Sequence, residues 1–252
     1  MSTHVQLPGG YTLAACDDLD STNEQAKRLA AEDAPQGTVV WARRQTAGRG
    51  RRGRAWISDP GNLYVSILLR PLCPAGQALQ ISFVTANAIT AAVAELISRR
   101  APVQAKWPND VLASGRKIAG VLLESSVGAS GSLEWLIAGI GLNVAHHPDA
   151  TEYPATSLRA QGAGSATVEA ALTVVLKHFA MDLALWQKAG FEPVRQVWLS
   201  HAAALGERIT VRLVNETLEG IFAGLDRTGA LILKTGAASR RITAGDVFPT
   251  AA

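Results

Sequence analysis

Only two cysteines, Cys16 and Cys73, occur in 252 residues, far apart and in no metal-like spacing. A disulfide framework is thereby set aside, and a reducing cytoplasm is the expected compartment. The first ten residues lack a basic segment followed by an apolar run, so no export signal is evident. No uninterrupted apolar stretch approaches the length that spans a bilayer, and no membrane partner is expected. P-loop, HExxH and GxSxG patterns are missing, as are internal repeats and low-complexity tracts. His146-His147 are read as loop residues, and no metal site is assigned to the protein's own side chains. Acid is missing from one place in particular. Arg43, Arg44, Arg49, Arg51, Arg52 and Arg54 follow one another with no Asp or Glu between them, although the whole chain carries only +3. A local cationic patch on a nearly balanced protein favours a small polyanion over a long phosphate backbone.

That patch holds the most informative segment, Gly48-Arg49-Gly50-Arg51-Arg52-Gly53-Arg54, with Trp56 beyond it. Arginines resist unpaired burial and glycines weaken regular elements, so the segment is a loop. Glycine lets a backbone approach a ligand closely, and arginine forks match carboxylate or phosphate oxygens. The loop is a candidate anion clamp with little reason to order until an anion arrives. The competing readings are a solvated connection or an RNA-binding segment.

With 48% hydrophobic residues the chain can bury one large domain, or one plus a small one. Ser21-Thr22-Asn23-Glu24 has the capping-box pattern at the head of a helix ending near 33–37. Thr38–Trp41 and Leu63–Leu69 read as strands entering and leaving the basic loop. Apolar residues at helical spacing between Leu79 and Arg99 predict a core helix. Strands are expected at 103–107, 110–113, 117–125 and 133–144, and helices at 166–189 and 192–204. Strands that interrupt helices without a regular βα repeat favour a mixed, largely antiparallel sheet with helices on one face. From Glu207 onward, short alternating strands (209–213, 218–223, 231–233, 241–243) with turns at 215–216, 226–229 and 235–236 suggest a small barrel. It would dock on the larger part, which gives an expected division into 1–204 and 205–252.

Three more segments can carry chemistry. Lys106-Trp107-Pro108-Asn109-Asp110 puts a lysine, an amide and a carboxylate at a rigid turn, which can orient a ligand or handle a proton; a plain capped turn is the alternative. Lys117 opens an apolar strand after a glycine turn, either as a snorkelling cation or facing the same pocket. Gly139-Ile140-Gly141-Leu142-Asn143 admits something flat, or another backbone, close against a strand. Ser21 is read first as a cap and second as a ligand donor.

Taken in order, Ser21-Thr22-Asn23, Gln45 with GRGRRGRxW at 48–56, KWPND at 106–110, KIAGVLLE at 117–124 and GIGLN at 139–143 resemble the biotin protein ligases. The likeness continues around Gly220 to Leu231, covering about residues 15–250. It implies an α+β fold: a class II aminoacyl-tRNA synthetase-like mixed sheet with helices, then an SH3-like β-barrel. It also implies a reaction in two steps: biotin and ATP, with Mg2+, give biotinyl-5′-AMP, and a lysine of the biotin carboxyl carrier protein of acetyl-CoA carboxylase then takes the biotin. By resemblance, Ser21, Thr22, Asn23, Gln45 and the backbone of Gly48 hold biotin, and Arg49, Gly50 and Arg51 close over it. Lys117 meets the carboxylate and α-phosphate, Arg54, Trp56, Asn109 and Asn143 border the nucleotide, and Asp110 orients or deprotonates the incoming lysine. The catalytic set is then Lys117, Arg51 and Asp110. Some relatives carry an N-terminal DNA-binding domain; Ser21 lies too near the start for one, so a monofunctional ligase without operator binding is expected. A homodimer is left open. A lipoate-type ligase would share the architecture, and a nucleic-acid-binding module would use the same arginines.

Overall fold

The computed structural model describes residues 5–249 apart from 99, 100, 130, 150 and 237. Its first part runs β1 (Thr12–Leu19), α1 (Thr22–Ala31), β2 (Thr38–Gln45), β3 (Leu63–Leu69), α2 (Gln80–Leu96), β4 (Val103–Lys106), β5 (Asp110–Ala113), β6 (Arg116–Val127), β7 (Leu133–Leu142), α3 (Val168–Ala189) and α4 (Phe191–Ser200). The C-terminal part is all β: β8 (Arg208–Arg212), β9 (Thr217–Leu225), β10 (Leu231–Thr235), β11 (Ala238–Ile242) and β12 (Asp246–Pro249).

Seven strands form one sheet in the order β1-β2-β3-β7-β6-β5-β4. Every neighbouring pair is antiparallel except β1 with β2, which is parallel, so the sheet is mixed as expected. Strand β1 was not anticipated. Its half-exposed residues give a weak alternation, and only pairing with β2 (Thr12 opposite Thr38) makes it a strand.

The expectation of helices on one face is corrected. Val39, Ile67, Leu69, Leu136 and Ala138 point into the main core, whereas Val40, Leu68 and Ile137 join Ala26 and Ala30 of α1 in a second cluster. Successive side chains alternate across a strand, so α1 covers the sheet face opposite α2, α3 and α4. Double coverage explains why every residue of β3 is buried. Helix α2 is buried on most sides, and Thr85 and Thr90 satisfy their hydroxyls on the carbonyls of Ile81 and Ala86, each at 2.7 Å. The segment Ala75–Leu96 is long and apolar enough to cross a membrane, yet about two-thirds of its most apolar 18 residues are buried inside the protein. The expected end of this helix at Arg99 lies outside the described residues.

Helix α4 stops at Ser200 rather than 204 because the chain then pairs with β4: the Ala105 amide donates to His201 O at 2.9 Å and the Ala203 amide to Ala105 O at 2.8 Å. The C-terminal sheet, ordered β11-β10-β9-β8-β12, is antiparallel throughout. It shares the main core through Phe83, Trp198 and Phe222, whose rings meet edge to face at 5.5 and 6.4 Å. The Trp107 indole donates to Gly229 O at 3.1 Å across the same junction. Strand β12 was missed altogether. Its pairing of Asp246 with Arg212 brings the chain end back toward the arginine loop.

Candidate active site

A cleft of about 360 Å³ opens where β2, the arginine loop, the β4–β5 turn, β6, β7 and β12 converge, within the range of small-ligand sites. Ser21, Thr22, Asn23, Gln45, Arg49, Gly50, Arg51, Arg54, Trp56, Asn109, Asp110, Lys117 and Asn143 all line it. Gly48 does not. It sits behind the wall, where an added Cβ would come within 2.4 Å of Ser58 Oγ and 2.5 Å of Trp56 O. The close approach that glycine permits is therefore made to the protein itself.

The polar end is built on the start of α1. Ser21 occupies the N-cap position, but its side chain makes no cap hydrogen bond, and Glu24 turns outward to Lys27 and Arg49. The expected capping box is not formed. The buried Ser21 side chain is left for the cleft. Gln45 Oε1 accepts from the Thr22 amide at 2.8 Å and from Thr22 Oγ1 at 3.1 Å, and its Nε2 donates to Ser58 Oγ at 2.9 Å. Beneath them Ser66 Oγ, wholly buried in β3, lies 2.6 Å from Asn23 Oδ1 and 2.8 Å from Thr22 Oγ1. Asn23 Nδ2 donates to Glu124 at 2.7 Å. Buried polar groups joined this way hold one rotamer set.

Glycines on β6 and β7 provide the floor. Gly139 and Gly141 share a face of β7: a Cβ on Gly139 would strike Asn23 Oδ1 at 2.2 Å, and one on Gly141 would strike the Trp56 indole at 2.5–2.7 Å. Gly120, opposite Gly141, admits the same indole at 3.1 Å. The flat group that Gly120 and Gly141 accommodate is thus Trp56, whereas Gly139 makes room for Asn23. The Trp56 Nε1 is buried without a protein partner.

The charged wall comes from three elements. Lys117 is fixed by main-chain bonds to Pro154 O (2.7 Å) and from Thr156 N (2.8 Å), and its Nζ lies 2.7 Å from Asp110 Oδ1 and 5.4 Å from the Trp56 ring centroid. Lys106, 3.9 Å from Asp110 Oδ2, has its ammonium 4.0 Å over the Tyr153 ring. Burial pushes the Lys106 pKa down, with Asp110 opposing. Asn109 is held by its Nδ2 bond to Val121 O at 2.7 Å and receives Arg51 Nη1 at 3.3 Å. Asn143, also buried, donates to Thr156 O at 2.9 Å.

The arginine loop departs from expectation, because carboxylates of the protein already meet it. Arg49 pairs with Glu24, whose carboxyl is held below its ordinary range by Lys27 and then Arg49. Arg54 Nη2 lies 2.7 Å and Arg52 Nη1 3.2 Å from Asp246 Oδ2. Burial lowers the Arg51 pKa, Asp246 opposing. A hairpin-like backbone supports these contacts, with the Trp56 amide on Gly48 O at 2.9 Å and the Gly50 amide on Arg54 O at 2.7 Å. Sequence reasoning missed Ser58, Ser66, Glu24 as a loop partner, Tyr153 and Phe248. No local pattern marks them, since each gains its place through contacts with distant segments. The His146-His147 pair faces Asn62, Pro60 O and Ser157, outside the cleft lining.

Residues 15–143 match the Biotin/lipoate A/B protein ligase family, and residues 204–248 match the Biotin protein ligase C terminal domain. The chain belongs to the biotin protein ligase family. It is 41% identical over 234 residues to a biotin–[acetyl-CoA-carboxylase] ligase of Paracoccus denitrificans, covering 91% of this chain and 97% of that one. It is 34% identical to the bifunctional ligase/repressor BirA of Bacillus subtilis, covering 94% of this chain and 74% of that protein. The fold superposes on the Aquifex aeolicus biotin protein ligase in complex with biotin and ATP, with a TM-score of 0.78, 31% identity, and coverage of 94% and 97%. Family membership accounts for one cleft built from segments that are far apart in sequence.

Proposed function

We propose that this protein is a biotin–[acetyl-CoA-carboxylase] ligase. The observation that carries the reading is the convergence of Ser21 to Asn23, Gln45, the arginine loop, Asn109-Asp110, Lys117 and Asn143 on one cleft. The comparisons support it by the class of relative. The same reading divides the chain into a biotin- and ATP-binding part, 1–204, and a C-terminal part, 205–252.

Carboxylates are poor acyl donors, so the first step makes biotin reactive. A biotin carboxylate oxygen attacks the α-phosphorus of ATP, the bond to the β-phosphate breaks, and pyrophosphate leaves. Two anions must be held together, and Lys117, Arg49 and Arg51 offset the charge that builds between them. Ser21, Thr22, Asn23 and Gln45 offer donors and acceptors to the ureido ring, with the orphaned Trp56 Nε1 and Asn143 toward the nucleotide. Lysine then attacks the acyl carbon of the mixed anhydride, its proton passes to Asp110, and AMP leaves. The chain needs no covalent nucleophile of its own.

Among the described residues no group of three or more His, Cys, Asp or Glu is arranged to hold a metal. Mg2+ commonly takes one or two carboxylates plus substrate phosphates, and Asp110 in this cleft fits that habit. Bound there, Mg2+ would neutralise phosphate charge. The acceptor we propose is a biotin carboxyl carrier protein.

Purified protein with biotin, MgATP and a carrier protein should release pyrophosphate and label the carrier. Lipoate incorporation in preference to biotin would select the lipoate-type reading, which the name of the matched family also admits. Absence of both transfers would remove the ligase reading.

A further inference from the structure

We propose that Asp246, at the start of β12, is a positioning residue that clamps the arginine loop over the cleft. Its Oδ2 lies 2.7 Å from Arg54 and 3.2 Å from Arg52, and its Oδ1 lies 4.0 Å from Arg51. Arg51 also donates to Gly245 O at 3.5 Å. Among the described residues no other carboxylate reaches ion-pair distance of these three arginines. The carboxylate is only 13% exposed and is fixed by the pairing of β12 with β8, so water screens it less than an ordinary surface ion pair.

The loop needs such an anchor. Arg52 sits at φ 56°, in the left-handed region that non-glycine residues avoid, and Gly53 follows at φ 73°. A backbone of this kind persists when its surroundings over-determine it. One carboxylate against three guanidiniums leaves positive charge facing the cleft, so the clamp orders the loop without cancelling its attraction for anions. Ordering it beforehand reduces what ligand binding must spend on immobilising it. The strand that supplies Asp246 belongs to the C-terminal sheet, which couples that sheet to the cleft. The clamp rests on the ligase reading only for its consequence, the hold on substrates.

Amide hydrogen exchange followed by mass spectrometry on the full chain without ligand tests the clamp directly. Asp246→Asn should exchange residues 49–56 at least fivefold faster than wild type, with β8 to β11 unchanged, and Asp246→Glu should stay within twofold of wild type. Adding Arg54→Gln to Asp246→Asn should give no further acceleration, because the two share one interaction. Unchanged exchange over 49–56, or an equal loss of protection across the C-terminal sheet, overturns the proposal. In turnover, the KM for MgATP should rise at least threefold in Asp246→Asn with kcat within twofold; an unchanged KM overturns the positioning role. Should the protein fail to use biotin at all, the exchange result still decides the clamp.

Discussion

The ammonium of Lys117 lies 2.7 Å from Oδ1 of Asp110, yet that buried oxygen has no aligned hydrogen bond. The two charges attract at short range without a well-aligned hydrogen bond. In the proposed reaction they act at different steps, Lys117 on the carboxylate and phosphate and Asp110 on the incoming lysine.

Replacing Lys117 with alanine removes the cation nearest Asp110 without opening the core, since the side chain is partly exposed. Loss of one strong transition-state donor typically costs ~10²–10³ in rate. We expect pyrophosphate release with biotin and MgATP to fall by at least that factor while the melting temperature holds. A variant with near-normal adenylate formation would take Lys117 out of the first step.

Asp110→Asn should separate the two steps. General bases contribute about 10²–10⁴, so transfer from synthetic biotinyl-5′-AMP to carrier protein should slow by ~10². Adenylate formation should instead shift to a higher Mg2+ requirement. Single-turnover transfer at normal speed would contradict the assigned proton acceptor.

Gly141→Ala places a methyl where the Trp56 indole lies, at 2.5–2.7 Å. Overpacking of this kind costs about 1–3 kcal/mol. Either the indole is displaced or β7 is, and both line the cleft. We expect the KM for MgATP to rise about tenfold, with most of the loss relieved in a Trp56→Phe background. Equal penalties in both backgrounds would show that Trp56 is not what the added methyl meets.

A fourth test concerns stability rather than the cleft. Burial pushes the carboxyl of Asp182, on α3, up to about 6 from 3.8. The folded state therefore holds this proton more tightly than the unfolded chain does. That contribution is complete below about pH 3.8 and is lost as pH rises through about 6. Above that range the charged form is a burden, kept to about 1 kcal/mol by the solvent that still reaches it. Asp182→Asn should raise the melting temperature by about 2–4 °C at pH 8 and hardly at all at pH 4. A gain of the same size at both pH values would locate the effect elsewhere.

Much of the cleft was legible because its residues sit in short runs with unusual composition. An arginine run without acid, a lysine and a carboxylate at a proline turn, and glycines alternating in a strand each break the pattern a core demands. Their partners were not legible. Ser66 is one serine within an apolar strand, and Glu24 matches a capping box that never forms because Arg49 and Lys27 claim its carboxylate. Asp246 lies 192 residues from Arg54, beyond the reach of any local pattern.

The amino-acid order alone determined most of the segments that became strand or helix, that the fold is mixed, and most of the residues that line the cleft, since periodicity and side-chain type are local properties. The tertiary structure decided that α1 takes the opposite face of the sheet, that residues 12–19 become an edge strand, that Trp56 lies across Gly120 and Gly141, and that the last strand reaches back to the arginine loop. Each of these depends on two segments meeting across the chain. Such meetings are set by the packing of whole surfaces and by unlike charges brought together in three dimensions, and neither is written in any single stretch of residues.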